Sequence, residues 1–383
     1  MFFSEFKEKS DFFEVKISEG LRNYVNRRRE GSSKTFYEKD GERKLEILSE
    51  KDLRGPFSFL FPERDTVEGF LKEWPQATAV FRIISRDIEI LSPLGDRVQK
   101  EEYLETFKVS LKRGKNLIES SGFSFQKGGL DFKKIRELFS SYFKKAENPV
   151  KVEGGKYPVL FRGQAAGLII HEFFGHLLEA DISEKIKSPF VKERVGEKVL
   201  NENITIEDIS EKPDDEGIFK ERVILVERGV LKGFLSDFSY SLKGFKPGGR
   251  GRRENFRVLP LPRQNLLVLK SNKTEREKSL LGRIKRGFLV ERIKTGLLDY
   301  KSFDYEFYVT ASFFIENGEI SSFTDNFLIK GNFLNDFMKI SEFSDSVYCN
   351  GYEGVCTKEE QRIRIGYKTP SFIVENLVIK SII

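Results

Sequence analysis

The sequence predicts an α+β protein, with an N-terminal mixed α+β domain over residues 1–148 and a strand-rich C-terminal domain over residues 149–383. The second domain is expected to carry one distorted metal-binding helix. Three observations lead there. Helical and strand periodicities alternate through the first 148 residues, whereas beyond residue 200 most apolar patterns have the period of a strand. The texture changes at Asn148-Pro149, where an extended stretch begins. The chain's only two histidines, His171 and His176, stand five residues apart behind an apolar run.

The bulk numbers set the frame. A chain of 383 residues exceeds one typical core, so two domains are the default. Hydrophobic residues make up 39% and aromatic ones 13%, with 37 phenylalanines, so packed cores are available and global disorder is excluded. A net charge of +6, from 66 basic and 60 acidic residues scattered along the chain, does not argue for a nucleic-acid partner. The first residues carry Glu5, Lys7, Glu8 and Lys9 where a signal peptide needs an apolar run. No uncharged apolar stretch approaches membrane-spanning length, so no membrane role is expected. With only Cys349 and Cys356 there is no disulfide framework, which fits a reducing cytoplasm.

Taken in order, residues 11–62 read as short strands and turns. Phe13 to Ile17 alternates, and Gly31-Ser-Ser and Asp40-Gly41 supply turn signals. Asp65 opens a helix in which Val67, Phe70, Leu71 and Trp74 keep the i, i+3, i+4, i+7 spacing. Residues 79–90 read as a strand, and helices are predicted near 100–119 and 131–146. The latter is built on Phe132, Ile135, Leu138, Phe139, Tyr142 and Phe143. Val150 to Phe161 is extended. Later strands are predicted at Arg222–Glu227, Val230–Asp237, Asn265–Lys270, Tyr305–Ile315 and Ser371–Ile379, with turns at Glu227-Arg228-Gly229 and Glu316-Asn317-Gly318.

The histidines carry the chemistry. Imidazole is the commonest protein ligand for transition metals, and His171-Glu172-Phe173-Phe174-Gly175-His176 places one carboxylate between two of them. Helical zinc peptidases use two histidines four apart with an intervening Glu as base. Here the spacing is one longer. Residues five apart on a regular helix point roughly 140° apart, against about 40° for four apart. An undistorted helix therefore cannot aim both rings at one metal, whereas a π-bulge absorbs the extra residue. Gly175, with permissive dihedrals, sits where the distortion is needed.

Two imidazoles do not complete a zinc shell, and a thiolate is a good third ligand. Both cysteines are candidates. If both joined, a closed Cys2His2 structural site would result. Glu172 and the wide spacing of Cys349 and Cys356 favour one cysteine as ligand and the other as a small buried hydrophobe. Glu179 and Asp181 are candidates to orient the histidine N–H groups, the alternative being solvated acids at a helix end.

Several ordered blocks carry a family resemblance over most of residues 155–383. They are Gly167 to Asp181 with its His-Glu-x-x-x-His core, Asp214 to Gly217, Leu225 to Gly233, Gly251-Arg-Arg253 with Pro260 to Arg263, and Gly354-Val-Cys-Thr-Lys358 with Gln361, Gly366 and Pro370. Together these resemble the TldD/PmbA (modulator of DNA gyrase) family, in its TldD-like zinc metallopeptidase branch. The resemblance implies that His171, His176 and Cys356 hold one divalent metal, taken as zinc, and that Glu172 is the base. It also implies peptide substrates, unfolded or small, and assembly as a homodimer or as a heterodimer with a partner-type subunit. It places Arg252, Arg253 and Arg263 on a basic loop that could bind a peptide carboxylate bidentately. The competing readings of Gly248-Gly-Arg-Gly-Arg-Arg253 are phosphate contact, as in nucleic-acid binding, and a solvated loop. A non-catalytic subunit with a structural metal, binding peptides or nucleic acid, is the alternative function. Leu177, Ala180 and Glu360 depart from the family's glycines, and Leu289 to Gly296 from its glycine-rich stretch.

Overall fold

Alternation of apolar and polar side chains builds the first half of the chain into one antiparallel sheet. Its strands are β1 (Phe2–Ser18), β2 (Leu21–Tyr37), β3 (Arg43–Arg54), β4 (Thr78–Leu91), β5 (Arg97–Arg113) and β6 (Asn116–Ser124), in the spatial order β3-β2-β1-β4-β5-β6. Two helices accompany it, α1 (Arg64–Glu73) and α2 (Phe132–Lys145). Asp131 caps α2 by accepting from the Lys134 amide. Phe70 of α1 and Trp74, just past its end, meet Phe139 of α2 at ring-centroid distances of 5.6 and 5.0 Å, and Phe70 reaches Phe107 of β5 at 5.7 Å. This aromatic cluster forms the core of the unit.

The computed structural model describes residues 2–18, 21–54, 64–186, 188–246, 248–350 and 354–382. The chain divides into two compact units. One comprises Met1–Tyr37, Arg43–Glu147 and Asn255–Leu259; the other comprises Glu38–Glu42, Asn148–Glu254 and Pro260–Ile383. Each unit thus includes a short piece from the other half of the sequence. Phe256 shows why within the first unit: its amide donates to Glu8 Oε2, and its ring lies where a Cβ on Gly31 would stand.

Gly31-Ser-Ser is not a turn but the middle of β2, where glycine makes room for the Phe256 ring. The region 11–62 forms long strands rather than short ones as far as Arg54; its remainder, 55–62, lies outside the described residues. Residues 100–119 are strand, not helix. Phe107, Val109 and Leu111 alternate inward on β5, and Gly114, at φ 59°, opens the two-residue turn to β6.

The second unit is the strand-rich one. After β7 (Gly155–Phe161) come β8 (Ile204–Ile209), β9 (Arg222–Glu227), β10 (Val230–Leu231), β11 (Gly251–Arg252), β12 (Leu261–Pro262) and β13 (Leu266–Ser271). Then follow β14 (Arg286–Leu298), β15 (Asp304–Glu316), β16 (Glu319–Phe323), β17 (Phe327–Asn332), β18 (Phe343–Cys349), β19 (Gly354–Lys358) and β20 (Gln361–Ser381). The sheet runs β10-β9-β8-β13-β20-β17-β15-β14-β7, and β7 pairs again with β20. Strands β20, β17, β15, β14 and β7 therefore close a ring, which removes their free edges. The region 230–237 departs from the predicted strand: only Val230–Leu231 is in the sheet, and Leu235 instead exchanges backbone hydrogen bonds with Leu178 and Ala180.

The predicted turns at 227–229 and 316–318 have left-handed residues, Arg228 and Gly229, and Asn317 and Gly318. A less favourable pair joins β19 to β20. Glu359 and Glu360 adopt φ of 47° and 64°, a conformation that costs an L-residue roughly 1–2 kcal/mol. Glu360→Gly is therefore expected to stabilise the protein by about 1 kcal/mol. Thermal unfolding of the variant checks this, and an unchanged or lower Tm contradicts it.

Candidate metal centre

Helix α3 (Gln164–Ile170) enters the core directly from β7. Ala165, Ala166, Ile169 and Ile170 are buried, and Gly167 lies so close to Tyr367 of β20 that a Cβ there would overlap its ring. The next five residues, His171–Gly175, form a π turn. The His176 amide donates to the His171 carbonyl, the i→i+5 bond that accommodates the extra residue between the histidines. Phe173 anchors this turn, with its ring 4.6 Å from both Phe333 and Phe337. The helix is thus distorted where the spacing demands it. Gly175 is glycine for a different reason from the expected one: its backbone is not in the left-handed region, but a Cβ on it would strike the Gln264 amide and crowd the His171 ring.

The turn brings the two imidazoles to ring centroids 4.6 Å apart. Cys356, on β19, joins them. The candidate donor atoms of His171, His176 and Cys356 all lie within 4.8 Å of one another, with Cys356 Sγ 3.2 Å from His176 Nε2. Cys349 is exposed and outside this group, so the described residues form no closed Cys2His2 site, and Cys349 is not the buried hydrophobe expected.

Each histidine is held through its other nitrogen. His171 Nδ1 lies 2.8 Å from Gln264 Oε1, and Gln264 Nε2 donates to the Gly366 carbonyl. His176 Nδ1 lies 2.9 Å from Glu179 Oε2. Both contacts suit an Nδ1–H donor, which leaves Nε2 of each ring to coordinate. The donor set, two oriented imidazoles and a thiol, fits a zinc ion with an open coordination position. Burial alone would raise the Cys356 thiol, but the neighbouring His176 and His171 outweigh it and bring it to about 4, a direction that favours a thiolate donor.

Glu179 and Asp181 are buried, which removes the reading of solvated acids at a helix end. Only Glu179 meets a histidine. Asp181 accepts instead from Lys358 Nζ at 2.7 Å. Burial would raise Glu179, yet Lys358, His176 and Arg263 hold it at about 2. Glu172 is half-buried, and its stem fits beside Gly296 of β14, where a Cβ would crowd it. Gln264 carries no signal in the sequence, and Lys358 and Gly296 stand in blocks of the resemblance without an assigned role; their contacts come from segments remote in the chain.

The arginine-rich segment is turned inward. Arg250 is fully buried and pairs with Asp208. Arg252 Nη1 donates to the carbonyls of Gln264 and Arg364. Arg253 and Arg263 are each 1% exposed, and Arg263 Nη2 donates to the Cys356 carbonyl at 2.9 Å. The burial of Arg250, Arg253 and Arg263 removes the reading of a solvated loop, and Arg252 and Arg263 are anchored on backbone carbonyls of Gln264, Arg364 and Cys356.

Gly175→Ala is expected to displace Gln264 from His171 and weaken metal affinity about 10–100-fold, while every ligand is retained. Chelator competition measures this, and wild-type affinity in the variant contradicts it.

A family profile described as the PmbA/TldA metallopeptidase C-terminal domain matches residues 154–381. A protein of Buchnera aphidicola named a metalloprotease TldD homolog is 32% identical over 234 residues, 59% of this chain and 48% of its own length. One from Saccharolobus solfataricus, named a zinc metalloprotease TldD homolog, is 27% identical over 263 residues, 63% of this chain and 56% of its own. This chain spans about half the length of these curated relatives. The crystal structure of TldE from Thermococcus kodakarensis shares the fold, with a TM-score of 0.72 at 18% identity, covering 99% of this chain and 96% of that one. A Thermotoga maritima structure described as a modulator of a DNA gyrase gives the same values. At such identity the likeness is one of fold. With the family profile matching more than half of its residues, the chain belongs to the PmbA/TldD metallopeptidase family.

Proposed function

We propose that this chain is a zinc-dependent peptidase acting on unfolded or small peptides, with His171, His176 and Cys356 as ligands and Glu172 as general base. The observation that carries this reading is the convergence of three donors around one point while a carboxylate that orients no ligand, Glu172, sits inside the same π turn. A structural metal needs no such carboxylate. Relatives named as metalloproteases support the same class.

Zinc bound there would polarise a peptide carbonyl and acidify water, with the thiolate tempering that acidity relative to an all-imidazole set. The rest of the chemistry falls to the chain. Glu172 accepts a proton from water and returns it to the leaving amine nitrogen. Burial raises its carboxyl above the usual range while the two imidazoles pull it back, which suits a group that must both take and release a proton. Gln264 and Glu179 keep the histidine rings in one orientation, so the reacting groups need not reorganise.

The proposal extends to assembly with a second copy or with a partner-type subunit, in the cytoplasm and without nucleic acid; light scattering of the purified chain reads its oligomeric state. Among the described residues no helix is long and apolar enough to cross a membrane.

Glu172→Gln is expected to keep the metal and lower peptide hydrolysis at least about 100-fold, while Cys349→Ser keeps both metal and activity. Metal content and peptide cleavage, measured on the same preparations, check this. Loss of metal in Cys349→Ser, or full activity in Glu172→Gln, would contradict the assignment.

A further inference from the structure

Strand β19 brings two polar groups to the centre, not one. Along it Val355 and Thr357 are exposed while Cys356 and Lys358, two residues apart, share the inward face. The Lys358 side chain is 8% exposed, and the three hydrogens of its ammonium match three acceptors: Glu179 Oε2 at 2.8 Å, Asp181 Oδ1 at 2.7 Å and the Pro262 carbonyl at 3.2 Å. Glu179 Oε2 is the same atom that meets His176 Nδ1 at 2.9 Å. The other Glu179 oxygen faces Arg263 Nε at 3.8 Å, and Arg263 holds the Cys356 carbonyl. Through one carboxylate, the helix that carries His176 is therefore tied to the strand that carries Cys356.

We propose that Lys358 is a positioning residue for the metal centre, acting through Glu179: its ammonium fixes the carboxylate that sets the orientation of the His176 ring against the Cys356 sulfur. This rests on the reading of His171, His176 and Cys356 as metal ligands. The geometry separates it from an ordinary buried ion pair, because the bridging oxygen is shared with the imidazole. Without the ammonium, among the described residues Glu179 keeps only the more distant Arg263 as a cationic partner, and Asp181 loses the one hydrogen bond it makes through Oδ1 while Oδ2 has none. Both carboxylates are then free to turn, and with Glu179 goes the direction of the His176 lone pair.

The test uses the full chain loaded with cobalt(II) in competition with a chelator, reading affinity, the sulfur-to-cobalt charge-transfer band and the d–d bands. Lys358→Met and Glu179→Gln are each expected to weaken cobalt binding about 10–100-fold and to shift the bands. The double variant is expected to be no weaker than Glu179→Gln alone, as for two residues acting in series. Wild-type affinity and spectrum in Lys358→Met overturn the proposal, as do losses that multiply in the double variant. If Lys358→Met does not fold, Lys358→Gln, which keeps an N–H donor, is read in the same way: shifted bands support the proposal and unshifted bands overturn it. A wild-type chain that takes up no cobalt at these residues would remove the ligand reading and the proposal with it. A wild type that binds beside a Lys358→Met that binds equally well removes the proposal alone.

Discussion

One displaced hydrogen bond underlies the centre. The His176 amide reaches the carbonyls of His171 and Phe173 rather than that of Glu172, and the i→i+5 closure turns two rings that a regular helix would point apart into neighbours at 4.6 Å. A π turn is intrinsically poorer than an α turn, so it persists only where its surroundings hold it. Here Phe173 is locked among Phe333, Phe337, Tyr305 and Phe307, and Phe174 against Phe190 and Phe333. Leu235 fastens the exit from the turn by backbone bonds to Leu178 and Ala180. The aromatic wealth of the chain is spent partly on this one irregularity.

Charge is arranged around the turn with similar economy. A buried carboxylate or ammonium is costly unless it is paired and hydrogen-bonded. Glu179, Asp181, Lys358 and Arg263 meet that condition together, two anions with two cations within one cluster. Arg250 and Asp208 do so as a fully buried pair farther along the same segment. A run of arginines that could be a solvated loop in the sequence is thus largely internal, with Arg263 holding the Cys356 carbonyl.

How far the sequence could be read follows from the range of the interactions. The helix distortion was legible because it depends on residues five apart and on the fixed turn of a helix. The strands Arg222–Glu227 and Asp304–Glu316 were legible because alternation is local. At 100–119 the same residues satisfy two patterns: Leu104, Phe107 and Leu111 fit a helix face, while Phe107, Val109 and Leu111 fit a strand, and pairing with β4 and β6 decides. Gly31 looked like a turn because the ring that fills its place comes from Phe256. At the centre, Gln264 and Lys358 stand 93 and 179 residues from the side chains they hold, and no local pattern marks such pairs.

If two imidazoles and one thiolate hold zinc, with Cys356 as the sulfur donor, X-ray absorption on the chain loaded with one equivalent of zinc shows one sulfur at about 2.3 Å and two imidazole nitrogens at about 2.0–2.1 Å. The remaining ligand is then a light atom, and the sulfur contribution is absent in Cys356→Ser. Two sulfurs per zinc, or a sulfur that survives Cys356→Ser, would contradict this ligand set.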